Sequence, residues 1–278
     1  MPAMIRAILQ SLSIAAALCC HPVFAQAADV RLQGEIVARF AAPDANQGVA
    51  VDAGSFYAIN NRAISGSGKV DGSLVARWRG DLAHLDSGVI YAGKLYAAHS
   101  NYPAWPMASS VEIWDAESLA HESSVQLSIE NISFTWLDRY NDAWWGAFAG
   151  YDLVQPGQDH VYGGTASTRV VRMDAAFNIL ERWTLPASLL ERLRPMSNSG
   201  GSWGQDGYLY LTGHDLPEIY VMALPGDGSE LRWVATVTVP GYSGQGIAWD
   251  RSAESRDLWG INRAGREVLR LRIPVIGE

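Results

Sequence analysis

Apolar residues recur along the chain in short runs of period two, each soon closed by Gly, Asn, Asp or Pro. That is the pattern of strands joined by turns, not of helices. The runs come in pairs. Residues 47–52 precede 56–60, 87–91 precede 95–99, 133–138 precede 144–148, 201–206 precede 209–214, and 245–250 precede 258–262. An aromatic residue marks each second run, at Tyr57, Tyr96, Trp145, Tyr210 and Trp259, with spacings of 39, 49, 65 and 49 residues. A third run follows in four units (111–114, 170–173, 219–222 and 268–272), and an outer run at 74–78, 124–127, 180–183 and 233–237. A four-strand repeat of about 40–50 residues predicts the blade of a propeller.

The expected fold is therefore all-β, a five-bladed β-propeller. The fifth unit has no outer run before Glu278, and residues 35–40 precede the first unit without a partner. Pairing the two would close the ring with the N-terminal strand and remove the open edges. Only Ala187 to Leu193, ahead of Pro195, reads as a short helix. No linker or second domain is visible.

The first residues follow a different rule. Arg6 is the sole charge before Asp29, residues 7–20 are largely apolar, and Ala25-Gln26-Ala27 offers a small-x-small cleavage site. This predicts a signal peptide over residues 1–27 and a single propeller domain over 28–278, periplasmic or secreted. The apolar run is too short to span a bilayer, so the protein is not expected to be membrane-embedded. Cys19 and Cys20 are the only cysteines, and cleavage removes both. The mature domain is then free of disulfides, and thiol catalysis, Cys-ligated zinc and iron–sulfur clusters are excluded. Removing Arg6 takes the formal charge from −8 to −9, which leaves no basic footprint for nucleic acid. A monomer is expected.

In a propeller, the loops before the inner strands and after the second strands share one face. Before the inner strands stand Asn46 and Gln47; His84, Asp86 and Ser87; Asn131 and Ser133; Ser197, Asn198, Ser199 and Ser202; and Tyr242, Ser243 and Gln245. After the second strands stand Asn60, Asn61 and Arg62; His99, Asn101, Tyr102 and Trp105; Tyr151; His214 and Asp215; and Asn262 and Arg263. Imidazoles, amides and guanidiniums thus converge from residues scattered in sequence. His84, His99 and His214 could hold one divalent metal, with Gln47, Gln245 or Asp86 completing the shell. Equally, His99 or His214 could act without metal as general base, with Asp86 or Asp215 as acid or orienting group. Arg62 and Arg263 suit a carboxylate or oxyanion. Trp105, Trp136, Trp203 and Tyr242 could form a stacking platform, while Trp114, Trp145, Trp249 and Trp259 read as core. The run from Asn198 to Ser202 lacks a phosphate-loop lysine, and Gly241-Tyr242-Ser243-Gly244-Gln245 misses the GxSxG elbow.

Gln47-Gly48-Val49 followed by Phe56-Tyr57, and Gly246-Ile247-Ala248-Trp249-Asp250 followed by Asn262-Arg263, resemble the inner-strand motifs of the five-bladed glutamine cyclotransferase (plant-type glutaminyl cyclase) family. The resemblance implies site roles for Gln47 and Arg263 and, more loosely, for Asp86. Ser100 stands where that family has an aromatic residue, and Arg where it has its other basic residue. The sequence is also similar to secreted bacterial propellers loosely labelled cycloisomerase. Together these readings predict an exported enzyme performing cyclisation, isomerisation or elimination on a small polar molecule. His99, His214 and Asp86 would be catalytic. Gln47, Asn60, Arg62, Asn101, Trp105, Ser202, Trp203, Asp215, Gln245, Asn262 and Arg263 would bind the substrate. The alternatives are a non-catalytic propeller binding a saccharide or peptide on the same face, or one docking a protein. The mouth residues differ from unit to unit, which favours one asymmetric site.

Overall fold

Exposure falls from the outer strands to the inner ones. Outer strand Leu74–Arg79 alternates between exposed and half-buried, whereas Ala143–Ala149 is buried at every position. The latter lies within a blade and is covered on both faces. Its adjacent tryptophans point opposite ways, as the period of a strand requires. Trp144 meets Tyr96 of the preceding blade at 4.6 Å between ring centroids, and Trp145 meets Trp203 of the next at 4.8 Å.

The computed structural model describes residues 30–127, 132–155, 158, 159, 161 and 163–277. The expected signal peptide, both cysteines and Asn131 lie outside them. The described strands form five antiparallel blades in chain order around one axis, with inner strands beginning at Gly48, His84, Ser133, Gly200 and Ala248. The architecture is the five-bladed β-propeller that the repeat predicted. Five apolar layers fill the junctions between successive blades, the last packing the fifth blade on the first through Phe56, Trp259 and Phe40. Ala187–Leu193 is the expected short helix. Among the described residues no helix is long and apolar enough to cross a membrane.

Strand Glu35–Ala41 pairs antiparallel with Glu267–Arg272 and is the fourth strand of the last blade. A second N-terminal strand, Arg31–Gln33, adds in parallel to the outer edge of the fourth blade. Its three residues were too few for the periodicity to reveal.

The inner strands nearly touch on the axis. A Cβ on Gly246 would stand 2.3 Å from Ser87 Cβ, and one on Gly200 would stand 2.6 Å from Gln245 O. Only glycine allows such an approach. This constriction separates two axial cavities, one at each end. Gln47, Asp86, Ser199 and Gln245 each immediately precede a residue of the constriction.

Candidate functional site

The cavity above the constriction has a volume of about 620 Å³. His84, Asp86, His214, Gln47, Asn60, Arg62 and Arg263 line it, as expected from sequence. Tyr102 and Tyr151 form an aromatic wall, with Tyr102 5.1 Å from His84 and 5.5 Å from Tyr151 between ring centroids.

One hydrogen-bond chain links the two histidines. Arg263 Nη2 donates to Gln47 Oε1 at 3.0 Å and to Gln245 Oε1 at 2.8 Å, while its Nε donates to the Asn46 carbonyl at 2.8 Å. A guanidinium only donates, so both amide oxygens must face it. Each amide nitrogen then points away. Gln47 Nε2 donates to Asn61 Oδ1 at 2.6 Å, and that oxygen also accepts from His84 Nδ1 at 2.9 Å. His84 therefore carries its proton on Nδ1 and presents a lone pair at Nε2. On the other side Gln245 Nε2 donates to His214 Nδ1 at 3.0 Å and to the His214 carbonyl at 2.6 Å. His214 therefore carries its proton on Nε2. One arginine thus sets opposite tautomers on two imidazoles. Gln245 reaches both partners from a left-handed backbone, φ 72°, strain of the kind that collects at functional sites.

Burial pushes both imidazoles down to about 4, helped for His84 by the neighbouring His214, His99 and Arg263, and for His214 by Arg263. Both are neutral at pH 7. Burial also raises Asp86 well above the usual carboxylate range, against a weaker pull from Arg263. Asp86 Oδ2 has no hydrogen-bond partner among the described residues and stands 3.5 Å from His84 Nε2. A carboxyl that burial biases towards its protonated form thus faces an imidazole lone pair at the floor of the mouth. The combination suits acid–base chemistry.

Other expected site residues lie elsewhere. His99 is on the second strand of its blade, and its Nδ1 bonds Ser110 Oγ at 2.8 Å. That serine leads to the buried Glu112, which also accepts from His121 and Ser124. His99 belongs to this interstrand network and is not a mouth residue. The three histidines consequently do not converge. Among the described residues no three His, Cys, Asp or Glu side chains are placed to hold a metal ion.

Ser202 and Trp203 are also displaced. The inner strand begins at Gly200, one residue before the sequence pattern set it, so the chain passes the constriction at once. Ser202 bonds Asp138 at the opposite end, and Trp203 is buried against Tyr140 at 4.6 Å. Trp136 and Tyr242 are buried too, which dissolves the expected stacking platform. Trp105 is 42% exposed on the loop after residue 100. Asn101 braces that loop through Pro106 O and Ala108 N, and so places Tyr102. Asn262 caps its own turn by bonding Glu267 and Gly265 N. Asp215 is exposed in a separate cavity of about 210 Å³ beside His214. Gln245 sits behind the mouth wall and acts through Arg263 and His214.

Sequence reasoning missed Asp44, Arg79, Thr135 and Met196, which also line the mouth. Arg79 ends an outer strand, where no repeat position pointed to the axis.

No protein-family model matches the sequence, and neither does any curated protein. Among solved structures the chain is similar to a glutaminyl cyclase from Myxococcus xanthus, with a TM-score of 0.61 and 12% identity over 89% of this chain and 99% of that one. It is also similar to the PQQ-bound aldose sugar dehydrogenase of Streptomyces coelicolor, with a TM-score of 0.48 and 13% identity over 88% and 82% of the two chains. The first likeness agrees with the propeller fold.

Proposed function

We propose that the mouth is the active site of an exported enzyme that performs acid–base chemistry on a small polar molecule: a cyclisation, an isomerisation or an elimination. The observation that carries this reading is the buried Asp86 Oδ2, unpartnered among the described residues, facing the lone pair of His84 Nε2 at 3.5 Å. Such a pair can take one proton and give another in the same turnover. The substrate's acidic position loses its proton to His84 Nε2. Asp86 gives its own proton to the leaving group or to the oxygen that gains charge. The neutral pair becomes an imidazolium and a carboxylate, and proton transfer between them restores the starting state. His214 Nε2–H would donate a hydrogen bond to the same substrate, on the tautomer that Gln245 imposes. Export rests on the layout of Arg6, the apolar residues 7–20 and Ala25-Gln26-Ala27.

The test is Asp86→Asn, which keeps the shape of a protonated carboxyl and removes its acidity. The domain spanning 28–278 is incubated with N-terminal glutaminyl peptides, hydroxy acids and their lactones, and aldoses, with products read by mass spectrometry. Wild type is expected to convert one class and the variant to lose about 10²- to 10⁴-fold in rate. Ligands that bind and emerge unchanged, equally in both proteins, would replace the enzyme with a binding propeller. The aromatic wall of Tyr102 and Tyr151 favours that second reading.

A further inference from the structure

The charges of the mouth oppose those of the protein. The chain carries a formal charge of −8, yet Arg62, Arg79 and Arg263 line this cavity. Arg62 and Arg79 make no ion pair among the described residues. Of the carboxyls that share the cavity, Asp44 is held at both oxygens by Arg77 at 2.9 Å, and Asp86 makes no ion pair with any of the three.

Arg263 is the most telling of the three. It is partly buried, and its hydrogen-bond partners among the described residues are a peptide carbonyl and two side-chain amide oxygens, all neutral. Taking a cation out of water without a direct ion pair is costly, and burial lowers Arg263 against a weaker pull from Asp215 and Asp86. The three acceptors also fix the plane of the guanidinium, which is thereby preorganised. They occupy Nε and Nη2 and leave Nη1 for a ligand.

We infer that the molecule bound in this mouth is an anion, its oxyanion group seated on Arg263 Nη1 and drawn in by Arg62 and Arg79 at the rim. The inference rests on the proposed site and names the class of its substrate: a small molecule bearing a carboxylate or a phosphate. A fixed guanidinium and two free ones match either group in charge and geometry. The rim pair adds attraction at a distance, which salt weakens.

The experiment is calorimetric titration of the domain with malate, glutarate, glycerol phosphate and inorganic phosphate. The primary amides of the two acids and glycerol serve as neutral counterparts. Each titration is run at about 20 and about 200 mM salt, about a threefold change in screening length. At least one anion is expected to bind at least ten-fold more tightly than its neutral counterpart, and more weakly at high salt. The preferred group distinguishes a carboxylate from a phosphate source. Arg62→Gln with Arg79→Gln, both exposed and without an ion pair among the described residues, should flatten the salt dependence. Arg263→Gln should abolish the preference for the anion.

Neutral counterparts binding as well as every anion would overturn the inference, as would an anion affinity that neither salt nor the double variant changes. Failure of the acid–base reading looks different: an anion binds in the mouth and emerges chemically unchanged. Turnover of a neutral substrate that no anion inhibits would sink the inference and leave the acid–base reading standing.

Discussion

Each end of the propeller axis holds a buried aspartate near an arginine, and the two pairs are built in opposite ways. Below the constriction, Asp138 accepts from Arg251 at 3.0 and 2.5 Å, from Ser202 Oγ at 3.1 Å, and from the backbone nitrogens of Trp203 and Arg139 at 2.7 and 2.8 Å. Above it, Asp86 Oδ2 has no hydrogen-bond partner among the described residues and Arg263 bonds neutral oxygens. A carboxylate met by five donors is held for structure. A carboxyl left without donors among the described residues, beside a cation that makes no direct ion pair there, costs stability and leaves both groups ready for a third party.

The largest expected effect tests that contrast directly. Asp138→Ala removes the buried partner of the half-buried Arg251, together with five hydrogen bonds, and should cost about 3 kcal/mol in urea unfolding. Asp86→Asn should leave stability within about 0.5 kcal/mol of wild type, or raise it. Equal losses in the two variants would abolish the distinction.

Next in size is a dependence on pH. Below the ordinary imidazole value of about 6.5, unfolded His84 and His214 bind protons that the folded residues, held near 4, refuse. Stability therefore falls as pH drops from about 6.5 towards 4, by about 1.4 kcal/mol per histidine per pH unit. His99, also lowered by burial, acts in the same direction. Asp86 opposes them: above about 4 the unfolded carboxyl has lost a proton that the folded one keeps, so its contribution falls as pH rises. Asp86→Asn should steepen the slope of stability against pH in this window, by at most one proton, or about 1.4 kcal/mol per unit. An unchanged slope would mean that Asp86 is ionised in the folded protein.

The smallest effect concerns His99. Its replacement by Ala removes the bond to Ser110 and should cost about 1 kcal/mol, leaving ligand affinity in the mouth unaltered. A loss of affinity equal to that of His84→Ala would return His99 to the site.

The blades were legible because each repeats one pattern of apolar alternation and an aromatic mark, and the repeat also found Gln47, His84, Asp86, His214 and Arg263. Its resolution is one residue, and a slip of one residue moves a side chain across a strand or past the constriction. That is why Ser202 and Trp203 were expected at the wrong end, and why His99 was grouped with His214. The opposed tautomers have no sequence signature at all. They depend on which atom of Gln47 and Gln245 faces Arg263, and three blades must meet before that is decided.

Residues 35–41 and 267–272 share one sheet, so the last blade joins segments more than 200 positions apart. Contacts that distant form late, because a long loop must close before they bring any gain. The first four blades can assemble from neighbouring segments as the chain grows, whereas the fifth must wait for its final strand. Arg263 is brought by that last blade, so the mouth lacks its guanidinium until that blade is in place. An interrupted or truncated chain could retain most of the propeller and have no working site.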